Sequence, residues 1–204
     1  MSTHEELLMT PRTARMRVDV VSDYEGFAGL RDEWRELLAA SADRSPFLSW
    51  EWADAWWRTF RGRDRLHVVV VRRGEQPIGI APWMRCGGLV AKVPPVYVGI
   101  GQESADYGGV LLGADPETAA AALLGHAERL LRTGGSIVLT RLPNDGDLLP
   151  LLRKRYAAPG ARARVTELFS EEYPYLDLAG LPDPGRHVSR AWKKNDVRRR
   201  VRRL

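Results

Sequence analysis

Residues 45–60 read SPFLSWEWADAWWRTF and hold four of the chain's seven tryptophans, at 50, 52, 56 and 57. On a helix, Trp52, Trp56 and Phe60 fall at i, i+4 and i+8 and share a face, and Trp50 and Trp57 form a neighbouring stripe. Aromatic stripes of this kind pack into a core, where buried indole is strongly stabilising. That is the first expectation here, with the sheet and Trp34 as partners. The alternative is that one edge, with Trp50, Trp52 and Trp56, lines a substrate groove. A membrane-surface helix is a third reading, weakened by Glu51 and Asp54. The second stretch with chemical potential is GQESADYGGVLL, residues 101–112. Asp106 and Tyr107 lie there in a loop before Gly108-Gly109. They suit either a turn closed by an Asx-type hydrogen bond or a polar contact with substrate, Asp106 acting as general base assisted by the phenol. Glu103 and Ser104 have weaker claims.

Other chemistries lack their residues. The four histidines, His4, His67, His126 and His187, are scattered, with no Cys/His cluster and no metal-ligand spacing, so no metal is expected. Cys86 is alone, which excludes an internal disulfide, fits a reducing compartment and reads as a buried small side chain. GIGQES (99–104) lacks the third glycine of a dinucleotide fingerprint. Residues 1–15 lack the apolar stretch of a signal peptide, and no run approaches the roughly 18 residues of a membrane span, so the expectation is a flexible leader on a cytoplasmic protein.

The charge is divided unevenly. Residues 185–204 carry nine basic groups and one acid, and the rest of the chain 22 basic and 25 acidic groups, making the tail +8 and the body −3. A solvated helix with a short apolar face of Val197, Val201 and Leu204, docked on a partner half, is favoured for this tail over nucleic-acid or anionic-lipid binding.

The elements that must position these residues follow from periodicity and punctuation. MRVDVVS (16–22) reads as a strand capped into a helix over 24–42, whose stripe is Phe27, Leu30, Trp34 and Leu37/Leu38. Ser45-Pro46 breaks it, and Ser49 caps the tryptophan helix. LHVVVVRR (66–73) and IGIAPWMR (78–85) form a hairpin across GEQP. VPPVYVGIG (93–101) and GGVLLG (108–113) are short extended runs. A helix starts at Asp115-Pro116, runs to about Arg132 and ends at Gly134-Gly135. SIVLTRL (136–142) reads as a buried strand, 145–156 as a short helix, 161–169 and 173–178 as strands, 182–185 as a linker and 187–204 as a basic helix. The order is that of an α/β fold, a mixed sheet flanked by helices.

That order resembles the GNAT acyltransferase fold. FLSWEWADAWWRTF, HVVVVRRGEQPIGIAPW and GQESADYGGVLL are similar to the first half of the CelD-type, FemAB-related acetyltransferases, whose members carry two GNAT-like halves in tandem. The resemblance spans roughly 18–204. It implies a leader over 1–15, a GNAT-like N-terminal half-domain over 16–181, and a linker with the start of a basic helix over 182–204 that leads into a second half. It also implies acyl transfer from acetyl-CoA or another acyl-CoA to an amine or hydroxyl on a small-molecule or cell-surface precursor, by direct attack with base assistance. One departure bears on this. The phosphate loop of a GNAT domain, Q/R-x-x-G-x-G/A, is replaced by VLLGADPETAA (110–120), with one glycine and two acids, Asp115 and Glu117. Carboxylates at that helix start repel a pyrophosphate, so this half is not expected to bind CoA in the usual way. A non-catalytic binding or scaffold module using the aromatic groove and the basic tail is the second expectation.

Overall fold

The computed structural model describes residues 14–86 and 94–157, together with 160–161, 163–172, 182–183 and 185–186. The chain divides after Val165 into two compact units. In the second, 166–172 have no regular secondary structure. The expected strand at 173–178, the domain boundary at 181 and the basic helix at 187–204 lie outside the described residues.

The first unit is an α/β domain with a six-stranded mixed sheet flanked by helices. Four valines set its layering. β2 (Arg65–Arg73) holds Val68, Val69, Val70 and Val71, all at 0% exposure. Successive side chains point to opposite faces of a strand, so this run must be covered on both sides. Val68 and Val70 pack into a cluster with Phe27, Trp34, Trp50 and Trp57. Val69 and Val71 pack into another with Trp83, Ala119, Leu123 and Leu148. The helices therefore occupy both faces of the sheet.

β1 (Met16–Val21) runs antiparallel to β2, and β2 to β3 (Gln76–Cys86), with a register shift beside Val71 and Arg72. β3 then pairs with two segments. β4 (Val96–Gly99) lies opposite Trp83–Cys86, and β5 (Leu111–Leu112) opposite Gly79–Ile80. Between them the chain makes an excursion over residues 100–110 that carries Asp106 and Tyr107. β6 (Ser136–Val138) pairs parallel to β4 at the edge of the sheet.

On the first face lie α1 (Tyr24–Gly29), α2 (Arg31–Ala40) and α3 (Trp50–Phe60). The helix expected over 24–42 is thus two helices joined at Leu30, and the stripe Phe27, Leu30, Trp34 and Leu37 is buried across the junction. Ser49 caps α3 by accepting from the Trp52 N–H, with Glu51 in the first turn, as its sequence suggests. On the second face lie α4 (Pro116–Arg132) and α5 (Leu148–Tyr156). Pro150 falls in the first turn of α5, where its missing N–H does no harm.

Two expected strands change. SIVLTRL is strand only over Ser136–Val138, where Ser136 and Val138 are exposed and Ile137 half-buried, because β6 is an edge strand and the chain then turns away at Arg141, φ 55°. The strand expected over 161–169 does not form among the described residues. Leu168 and Phe169, adjacent in sequence, would point to opposite faces, and both are exposed.

Two glycines give a contrasting test. A Cβ on Gly79 would sit 3.1 Å from the Ala119 Cβ, so the bare backbone lets α4 rest on β3. Gly125, inside α4, has open space around its would-be Cβ. Gly79→Val is expected to lower stability by about 1–3 kcal/mol through overpacking, and Gly125→Ala to raise it by up to about 1 kcal/mol. Urea unfolding midpoints check both. Equal effects would refute close packing of α4 at Gly79.

Candidate functional site

The two stripes of α3 serve different ends. Trp50 and Trp57 face the core. Trp50 stacks on Phe27 with ring centres 5.6 Å apart, its Nε1–H donates to the Phe27 carbonyl at 3.0 Å, and the Arg31 guanidinium covers its ring. It is a packing residue. Trp52 and Trp56 are half-buried and Phe60 is exposed. Trp52 meets Phe47 edge-on at 4.9 Å. A Cβ on Gly101 would fall 2.6 Å from Trp52 Nε1 and 3.2 Å from Trp56 Cγ, so the start of the excursion lies directly against these two indoles. Gly101, with φ 74°, is a left-handed position that also favours glycine for its backbone.

The structure thus brings Trp52 and Trp56 together with the base of the loop that carries Asp106 and Tyr107. Both of the latter are exposed, and Asp106 makes no Asx-type hydrogen bond. The loop is closed by other means. Gln102 is buried, and its Oε1 accepts from the Gly99 N–H at 3.1 Å. The Arg141 guanidinium donates to the carbonyls of Gln102, Glu103 and Ala105. Gly108 N–H donates to the Arg141 carbonyl at 3.0 Å. Arg141 is the one described non-glycine residue with positive φ. A bulky residue in that region is an outlier held by its surroundings. Beyond Gly108-Gly109 the chain lines a void of about 20 Å³, the size of one water.

A second cluster was not legible from spacing. His67 on β2 and His126 on α4, 59 residues apart, place their Nε2 atoms 3.0 Å from each other. The His67 ring lies against Tyr97, with centroids 4.7 Å apart. Arg129 Nη2 approaches His126 Nδ1 at 3.2 Å. A guanidinium can only donate, so His126 Nδ1 accepts. The neutral His126 ring therefore carries its proton on Nε2 and gives it to His67 Nε2, leaving the His67 proton on Nδ1. The direction of the whole chain follows from one arginine. Among the described residues no group of three His, Cys, Asp or Glu side chains could hold a metal ion.

Both histidines are held neutral. Burial, then the repulsion that a protonated His67 and Arg129 would exert, lower the His126 pKa to about 4. Burial, then Arg85, lowers that of His67. Beside them, at the start of β2, a cleft of about 410 Å³ opens, lined by Arg61, Arg65, His67, Arg85 and Tyr97, with Asp64 as the one carboxylate among its described lining residues.

At the opposite end of β3, the start of α4 is occupied by its own chain. Asp115 caps the helix by accepting from the Thr118 N–H at 3.2 Å and pairs with Arg73 at 2.6 Å. These two hydrogen bonds, Arg73's first, hold its carboxyl below the usual range. Pro116 removes another N–H from the same turn. The residues present do not fit a pyrophosphate at this position.

Two measurements bear on these arrangements. Arg141→Gly relieves the left-handed backbone, which by itself is stabilising, yet removes the clasp on three carbonyls. It is expected to lower stability by about 1 kcal/mol or more and to speed amide exchange in 99–105, whereas a more stable variant would mean the clasp contributes nothing. The histidine pair binds fewer protons folded than unfolded, so its contribution is complete above the ordinary histidine pKa of about 6.5 and is lost as pH falls toward 4. Urea titrations from pH 7.5 to 4 should show stability falling with acidity, with a shallower slope in His126→Gln. Identical slopes would exclude the pair as the source.

Comparison against protein-family models finds no match for this chain, and comparison against curated proteins finds none either. No described helix is long and apolar enough to cross a membrane.

Proposed function

We propose that the chain is a GNAT-like half of an acyltransferase of the CelD-type, FemAB-related kind, contributing an acceptor-binding surface, and that the acyl-CoA pyrophosphate is bound elsewhere than at α4. The order of elements supports the GNAT-like reading. A hairpin of β2 and β3 leads to β4, and α4 then crosses to β6, parallel to β4. The half-buried indoles Trp52 and Trp56, set against the Gly101 loop and continued by the exposed Asp106 and Tyr107, support the acceptor surface.

The observation that carries the division of labour is the closed start of α4. A pyrophosphate needs free backbone N–H groups and a positive field. Here Asp115 takes an N–H and supplies negative charge, and Arg73, a ready cation, is spent on it. The same observation favours a second reading, a binding module that performs no acyl transfer. The two differ in whether a CoA position is latent in the fold.

Calorimetry and a thiol-release assay with acetyl-CoA distinguish them. The wild-type chain is expected to release no free thiol and to give no more heat with acetyl-CoA than with inorganic pyrophosphate. Asp115→Ser/Glu117→Gln keeps a hydroxyl cap, removes both carboxylates and releases Arg73, and is expected to acquire measurable acetyl-CoA binding. No gain in a folded variant would end the GNAT-type assignment of α4 and leave the binding module. Turnover by the wild-type chain would overturn the binding-module reading.

A further inference from the structure

We propose that the cleft at the start of β2 is a binding site for an oxyanion-bearing small molecule, a phosphate ester or a carboxylate, held by Arg61, Arg65 and Arg85. This lies at the other end of β3 from α4 and does not depend on the acyltransferase reading.

Seven of the described arginines are committed to ion pairs. Arg17, Arg31, Arg35, Arg58, Arg72, Arg73 and Arg155 each face a carboxylate within ion-pairing distance. Arg61, Arg65 and Arg85 differ. They line one cleft, and among the described residues no ion pair or side-chain hydrogen bond holds them. Asp64, the one carboxylate among the lining residues described, is engaged in an interaction of its own. Three guanidiniums around a cavity with one acid leave a net positive field focused by the walls. Guanidinium is the side chain best matched to the paired oxygens of phosphate and carboxylate.

One side of the cleft is set by the register of the sheet. Arg65 precedes the buried valine run of β2, and Arg85 stands directly opposite it in the antiparallel register. The two cations are therefore cross-strand neighbours, an arrangement that is unfavourable when nothing lies between them. An anion there converts that repulsion into two charge-assisted contacts. His67, two residues along β2, is held in place by its contacts with His126 and Tyr97. With its Nε2 engaged, it keeps Nδ1–H as a donor rather than an added cation. A volume of about 410 Å³ falls within the usual range for small-molecule sites.

Calorimetry of the full chain at low salt, with pyrophosphate and separately with citrate, tests the site. Saturable one-site binding is expected for at least one probe. Pyrophosphate alone would assign a phosphate ligand, citrate alone a carboxylate, and both a general oxyanion site. Arg65→Gln/Arg85→Gln should weaken binding at least about tenfold, and Arg65→Lys/Arg85→Lys should restore part of it. Arg199→Gln/Arg200→Gln, which removes charge from the basic tail, should leave it unchanged. In histidine-ring NMR spectra the probe should shift His67 and His126 but not His4, a readout independent of whether the glutamine variants fold. Absence of saturable heat with both probes would overturn the proposal. So would binding that follows the tail variant instead of the cleft variants.

Discussion

The pairing of β3 is the constraint on which the rest of the molecule depends. This strand is hydrogen-bonded to β2 along one edge and to both β4 and β5 along the other. Because β4 and β5 must both return to the same strand, the eleven residues between them are forced out as a closed excursion whose ends are fixed. Everything chemically suggestive on the first face sits at the base of that excursion. Gly101 can lie against Trp52 and Trp56 only because it has no Cβ, and Gln102 and Arg141 satisfy the backbone groups that the interrupted strand leaves unpaired.

β3 also separates two electrostatic environments. At its start, Arg73 at the end of β2 meets Asp115, and the positive end of the α4 dipole is neutralised. At its far end, Arg85 and Arg65 stand opposite each other across the strands, and among the described residues no ion pair holds either. The same two strands thus carry a satisfied pair at one end and an unsatisfied pair at the other. Charge complementarity within the fold explains the first and not the second, which is why the second invites a ligand.

Much of the fold was legible because local signals agreed with the tertiary result. The stripe Phe27, Leu30, Trp34 and Leu37 persisted through a break at Leu30 because burial is set by which face meets the sheet, not by helix continuity. The Ser49 and Asp115 caps were visible as side-chain chemistry next to a helical pattern. Residues 136–142 misled, since a short apolar run reads the same whether it is a central strand or an edge strand about to leave the sheet. On the tryptophan helix, spacing separated the Trp52/Trp56 stripe from the Trp50/Trp57 stripe, and the core packing expected first describes Trp50 and Trp57, whereas the alternative groove edge had included Trp50. The histidine pair was invisible, because 59 residues separate its members and only the crossover of α4 over β2 brings them together. Arg141 carried no local signal at all. Its importance lies in three carbonyls, on a loop almost forty residues earlier, that accept from its guanidinium.

The histidine pair shows how little it takes to fix a protonation pattern in such a fold. Arg129 lies one turn from His126 on α4 and accepts nothing, so its contact with Nδ1 determines the tautomer of both rings. Burial then keeps both neutral, and Arg129 and Arg85 on either side oppose any added proton. A charged pair at this position would add to the repulsion between Arg65 and Arg85. A neutral pair instead supports the β2–α4 packing through a single hydrogen bond, and keeps the positive charge of the cleft on the guanidiniums, whose geometry suits an oxyanion.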